Sequence, residues 1–182
     1  MQRSTNFSIG AIAALMVILA LALSQPLAFA DGASGKFNPQ TQFPAGTTVT
    51  FTSLNGVAAQ RVNFNKPRFA QYDAAISIMV KVEELTRDGG IRWKVLSGTF
   101  TIKGQTYTVT GGGGLMNTFD EVGMRGETTG PDGADYRWRL RGFASLHNGV
   151  VIIALRGGIA TIQSDDALLG YRLVFIATMS GS

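Results

Sequence analysis

Glycine-bearing turn pairs cut most of this chain into short segments of one kind. Asp88-Gly89, Lys103-Gly104, Asp132-Gly133 and Asn148-Gly149 each supply the residue types that a tight hairpin turn with positive φ requires. Between them, β-branched and aromatic residues alternate with polar ones, which is the period of a half-buried strand. The segments that read as strands are Thr47 to Leu54, Ala75 to Leu85, Ile91 to Ile102, Gln105 to Thr110, Val122 to Thr128, Tyr136 to Leu146, Val150 to Leu155 and Tyr171 to Met179. About eight strands joined in this way make an all-β antiparallel meander that closes as a barrel or a sandwich.

A weak internal repeat runs through the meander. Asp88-Gly89-Gly90-Ile91-Arg92-Trp93-Lys94-Val95 is echoed by Asp132-Gly133-Ala134-Asp135-Tyr136-Arg137-Trp138-Arg139-Leu140. Each copy leads to a glycine (Gly98, Gly142), a second turn glycine (Gly104, Gly149) and a glycine cluster (Gly111 to Gly114, Gly157-Gly158). The reading is of two three-strand repeats flanked by N- and C-terminal strands, with Trp93 and Trp138 at equivalent inward positions. Helix is scarce. Ser164 to Gly170 reads as one short turn with Ser164 as N-cap, and a second is expected between Pro67 and Ala74.

Strand geometry sorts the charged residues. Tyr136, Trp138 and Leu140 fall on one face and Arg137, Arg139 and Arg141 on the other, just as Ile91, Trp93 and Val95 oppose Arg92 and Lys94. Arg92, Lys94, Arg137, Arg139 and Arg141 are therefore the candidate anion or partner surface. It would suit an acidic polysaccharide, lipid headgroups or an acidic partner, or it would simply be a solvated face that discourages edge pairing. Three segments, Ala75 to Val80, Val150 to Leu155 and Leu173 to Ala177, are apolar on both faces. They call for cover on both sides, from a second sheet and loop, an apolar ligand or another subunit.

Catalytic constellations are thin. His147 is the only histidine and lies beside the Asn148-Gly149 turn, so a histidine-based metal site lacks its other ligands. Neighbouring Glu83 and Glu84 should point to opposite faces of a strand, which disfavours an acid/base pair. Asp165-Asp166 suits a helix start, and Asp132 and Asp135 suit a turn better than a calcium site. Gly111 to Gly114 lacks the lysine and hydroxyl of a phosphate loop and reads as a flexible hairpin connection. No cofactor is expected, and no catalytic residue is assigned.

The N-terminus reads as a targeting segment. Arg3 precedes an uncharged apolar run from Ile9 to Leu23, then Pro26, then the small residues Ala28 and Ala30, which place signal-peptidase cleavage before Asp31. The expected organisation is a signal peptide at 1–30, a flexible leader at 31–46 and a single β-domain at 47–182. With no cysteine, this exported domain would be held by packing and strand pairing alone. The full chain carries a net charge of +4, which is too mild to imply nucleic acid. The sequence thus points to a non-enzymatic binding or structural domain, secreted or at the cell envelope. Self-association or an envelope partner is expected, with membrane contact only through an uncleaved signal. A barrel-type carrier of a small ligand and an Asp/Glu-dependent hydrolase are the alternatives.

Overall fold

A computed structural model describes residues 38–63, 68–162 and 170–182. The expected signal peptide, its cleavage point and the Ser164 to Leu169 part of the C-terminal helical turn lie outside the described residues. The strands are β1 (Thr48–Asn63), β2 (Arg68–Leu85), β3 (Ile91–Ile102), β4 (Gln105–Met116), β5 (Glu121–Thr129), β6 (Asp135–His147), β7 (Val150–Thr161) and β8 (Tyr171–Gly181). Each pairs antiparallel with the next, and β8 returns to β1 from Val49↔Gly181 to Gln60↔Tyr171, so the sheet closes as a barrel. The β2–β3, β4–β5 and β6–β7 connections share one end, called here the near end. The opposite strand ends, where β3 turns into β4 and β5 into β6, define the far end.

Alternation explains which way each side chain faces. Ile76, Ile78, Val80 and Val82 of β2, Ile153 and Leu155 of β7, and Leu173, Phe175 and Ala177 of β8 point inward and are buried. The centre is filled by rings, with Phe51 5.5 Å from Trp93, and Phe100 5.4 Å from Trp138 and 6.4 Å from Phe175. The inward positions are apolar, while the charged side chains of β3 and β6 point outward.

Three differences from the sequence reading have physical causes. Gly111 to Gly114 is not a flexible connection. It is paired strand, with Gly111↔Glu127, Gly113↔Arg125 and Lys94↔Gly113. Glycine has no side chain to display alternation, so the pattern fades while the backbone ladder continues. The helix expected between Pro67 and Ala74 is absent from residues 68–74, which belong to β2. There Ala58↔Tyr72 and Gln60↔Ala70 pair with β1, and the aromatic Phe69 and Tyr72 suit a pleated surface. The segments apolar on both faces gain no second sheet, since a single closed sheet has none to offer. Met79 and Val150 stay exposed, and Ile152, Ala154, Val174 and Ile176 are half-buried on the outside.

Of the leader, the structure describes Asn38 onward. A short helix, α1 (Pro39–Gln42), is capped by the Asn38 side chain, which accepts from the Gln40 N–H at 3.0 Å. Gln40 Nε2 donates to the Thr86 and Gly90 carbonyls at 2.8 and 2.9 Å, and Phe43 is buried in the core. The near end is thereby plugged by the chain's own approach to β1.

Candidate anion-binding face

The five candidate residues all stand exposed on the outer face, Arg92 and Lys94 on β3, Arg137, Arg139 and Arg141 on β6. β4 and β5 separate the two groups, so they are not direct neighbours. The register supplies what lies between. Lys81, Lys94, Gly113, Arg125, Arg139, Gly158 and Arg172 form one cross-strand row from β2 to β8. One row nearer the near end, Arg141 stands opposite Arg156.

Lys81↔Lys94, Arg125↔Arg139 and Arg141↔Arg156 are thus like charges directly opposed across antiparallel pairs, an arrangement that destabilises a sheet. Compensation is partial. Glu127 stands opposite Arg137, and Arg92 Nη1 lies 3.0 Å from Glu84 Oε2. Both members of that ion pair are more than half exposed, at 58% and 57%, so solvent screens it and its contribution is small. The Arg172 guanidinium sits over the Phe69 ring at 5.7 Å.

Sequence reasoning passed over Lys81, Arg125, Arg156 and Arg172. The first, second and fourth lie at outward positions of segments read as strands, and Arg156 lies one residue past the end read for β7. Their signal was present in the alternation, but their assembly into rows depends on register between strands.

A second cluster closes the far end. All four tyrosines of the chain, Tyr72, Tyr107, Tyr136 and Tyr171, come from the alternate strands β2, β4, β6 and β8. Their rings meet edge to face, Tyr107 with Tyr136 at 5.2 Å, Tyr72 with Tyr171 at 6.2 Å and Tyr107 with Tyr171 at 6.5 Å. Burial, then the neighbouring phenols of Tyr171 and Tyr136, push the Tyr107 hydroxyl well above its ordinary value. Tyr136 is raised by burial and by donating to Asp132 Oδ2 at 3.0 Å. Lys103 Nζ lies 5.0 Å from the Tyr72 ring, beside a hollow of about 420 Å³ that also borders Gln71 and Asp73. This cluster reads as a lid over the apolar core, with Tyr107 buried and Tyr72, Tyr136 and Tyr171 partly exposed around it.

The acidic candidates are placed as follows. Glu83 and Glu84 are both exposed, because the β2–β3 register shifts between Val82 and Glu84 and the strict alternation expected there breaks. Asp132 Oδ1 accepts from the Ala134 N–H at 3.1 Å while its other oxygen takes Tyr136, and Asp135 accepts from the Thr129 hydroxyl at 3.3 Å. These carboxylates organise the β5–β6 turn. His147 ends β6, with Nε2 3.4 Å from Asn148 Nδ2 in the hairpin turn. Among the described residues no group of three or more His, Asp or Glu side chains gathers as a metal site would require.

The fold and this surface define a filled, closed eight-stranded antiparallel barrel with a basic outer face. Compared with known proteins, the chain matches no family model, and no curated protein or solved structure is significantly similar to it.

Proposed function

We propose that this chain is an exported, non-enzymatic binding domain that holds an anionic component of the cell envelope against the arginine rows of β5, β6 and β7. The observation that carries the reading is the pair of opposed contacts Arg125↔Arg139 and Arg141↔Arg156. Like charges in register cost the sheet stability, and a bound anion turns that cost into attraction by neutralising both members of each pair. The carrier alternative has weaker support, because the contacts of Phe100 with Trp138 and Phe175 occupy the centre of the barrel with protein side chains.

The test uses protein recovered after export, which is expected to begin at Asp31. Its affinity for a soluble polyanion such as dextran sulfate, followed by titration, should fall steeply as salt rises. Arg125→Ser combined with Arg139→Ser should weaken binding about tenfold or more, since roughly 1 kcal/mol is lost for each surface charge contact. Thermal stability should change by no more than about 0.5 kcal/mol per site, as at other exposed positions. Unchanged affinity in the double variant overturns the reading.

A further inference from the structure

Immediately beside the arginine rows, on the near-end side, the outer surface turns apolar. Phe143, 60% exposed, follows Arg141 by two residues on the same face of β6, with Ala154 of β7 opposite it on one side and Glu121 of β5 on the other. Leu115 shares a register row with Gly123 and Arg141, and Val150 opens β7, both close to half exposed. The most exposed large apolar side chain among the described residues is Phe119, at 80%, in the β4–β5 loop.

That loop is built to hold its shape. Asn117 Oδ1 accepts from the Phe119 and Glu121 N–H groups at 2.9 and 3.0 Å, and the Asn117 N–H donates to the Glu121 carbonyl at 3.0 Å. The Ala144 N–H donates to the Asp120 carbonyl at 2.8 Å, tying the loop to β6 one residue beyond Phe143. Phe119 is therefore kept in solvent by a fixed turn. Leaving a phenylalanine there forgoes the stabilisation that burying so large an apolar side chain ordinarily brings.

We infer that this face docks on an anionic phospholipid bilayer, with Phe119 and Phe143 entering the headgroup–acyl boundary while Arg125, Arg139, Arg141 and Arg156 meet the lipid phosphates. The inference rests on the anion-binding reading above and names its partner. Charge and apolarity in adjacent rows are the pattern of a surface that lies on a membrane, where phosphate and hydrocarbon lie a few ångströms apart. A soluble polyanion would engage the arginines and leave both phenylalanines in water. The carboxylates at this end divide between the far side of the barrel and the patch itself. Glu83, Glu84 and Asp88 belong to β2 and the β2–β3 loop, across the barrel from β6 and β7. Asp120, half-buried, and Glu121 share the patch, and Glu121 Oε2 accepts from Asn117 Nδ2 at 2.8 Å.

Co-sedimentation with vesicles tests this, using exported protein and its variants with the same N-terminus. Wild type should partition onto phosphatidylglycerol/phosphatidylcholine vesicles and far less onto phosphatidylcholine alone. Phe119→Ser with Phe143→Ser should lower partitioning about tenfold or more while dextran sulfate binding stays unchanged. Arg125→Ser with Arg139→Ser should weaken both. Circular dichroism matching wild type establishes that each variant is folded, and the single Phe119→Ser, in an exposed loop, serves if the double variant is not. Dextran sulfate binding without vesicle binding, or vesicle binding indifferent to the phenylalanines, overturns the membrane inference and leaves the anion reading standing. Loss of both ligands in wild type overturns the two together.

Discussion

Glycine and aromatic residues are matched one against another inside this barrel. Trp93 of β3 stands opposite Gly114 of β4, and a Cβ at Gly114 would lie 2.7 Å from the indole Nε1. Trp138 of β6 stands opposite Gly126 of β5, where a Cβ would lie 2.8 Å from Cζ2 of the indole. The glycine-rich β4–β5 hairpin is thus the wall that makes room for both indoles. At the far end the tyrosines give a titratable property. Tyr107 and Tyr136 both have raised folded-state values, so the folded state favours the neutral phenol. That contribution is whole below the ordinary tyrosine value of about 10 and is lost as pH climbs through the folded-state values. Denaturation midpoints should therefore fall as pH rises above about 10, and ultraviolet titration of native protein should show late phenolate formation that Tyr107→Phe reduces and Tyr107→Phe with Tyr136→Phe removes. A midpoint flat across that range would mean the far end is wet.

At the scale of elements, bulges and a plug shape the barrel. Inward positions are odd-numbered at Val49 and Phe51 but even at Ala58 in β1, odd at Trp93 and even at Phe100 in β3, and odd at Val109 and even at Met116 in β4. Each switch marks a break in simple alternation that adds local twist, as curvature into a closed sheet requires. The register shifts at Ser53/Asn55 and Val109/Gly111 mark two of these breaks. α1 and Phe43 complete the near end. Phe43→Ala should cost about 3–5 kcal/mol in chemical denaturation, as for a core aromatic replaced by a cavity. A change within about 0.5 kcal/mol, typical of surface sites, would mean that this segment only rests on the barrel.

For the whole molecule, closure is the defining event. β1 and β8, the first and last strands, pair along nearly all of β8, so the sheet presents no edge to a neighbouring chain. Backbone amides of β8 from Leu173 to Met179 should resist hydrogen exchange as strongly as those of the central β6, which exchange measured by mass spectrometry can compare. Fast exchange confined to β1 and β8 would indicate an open meander. Closure also gives the repeat an unexpected orientation. Taken as β3–β5 and β6–β8, the three-strand units leave β1 and β2 as the flanking strands and none on the C-terminal side, and each contains an odd number of strands, so the second copy runs opposite to the first. Trp93 consequently lies toward the near end and Trp138 toward the far end.

The chain's own alternation and turn chemistry determined the number of strands, their antiparallel sense, the inward burial of Trp93 and Trp138 and the outward direction of Arg92, Lys94, Arg137, Arg139 and Arg141. These are local properties, because a side chain's face follows from its neighbours two residues away and a hairpin from the few residues that turn it. The choice of barrel over sandwich, the true length of the glycine-bearing strands and the docking of Phe43 were decided by pairing between distant segments. So was the candidate surface in its assembled form. Arg125 and Arg156 joined it only because register set them opposite Arg139 and Arg141. Register is a relation between strands, settled when the barrel closes around its core, and no single segment carries it.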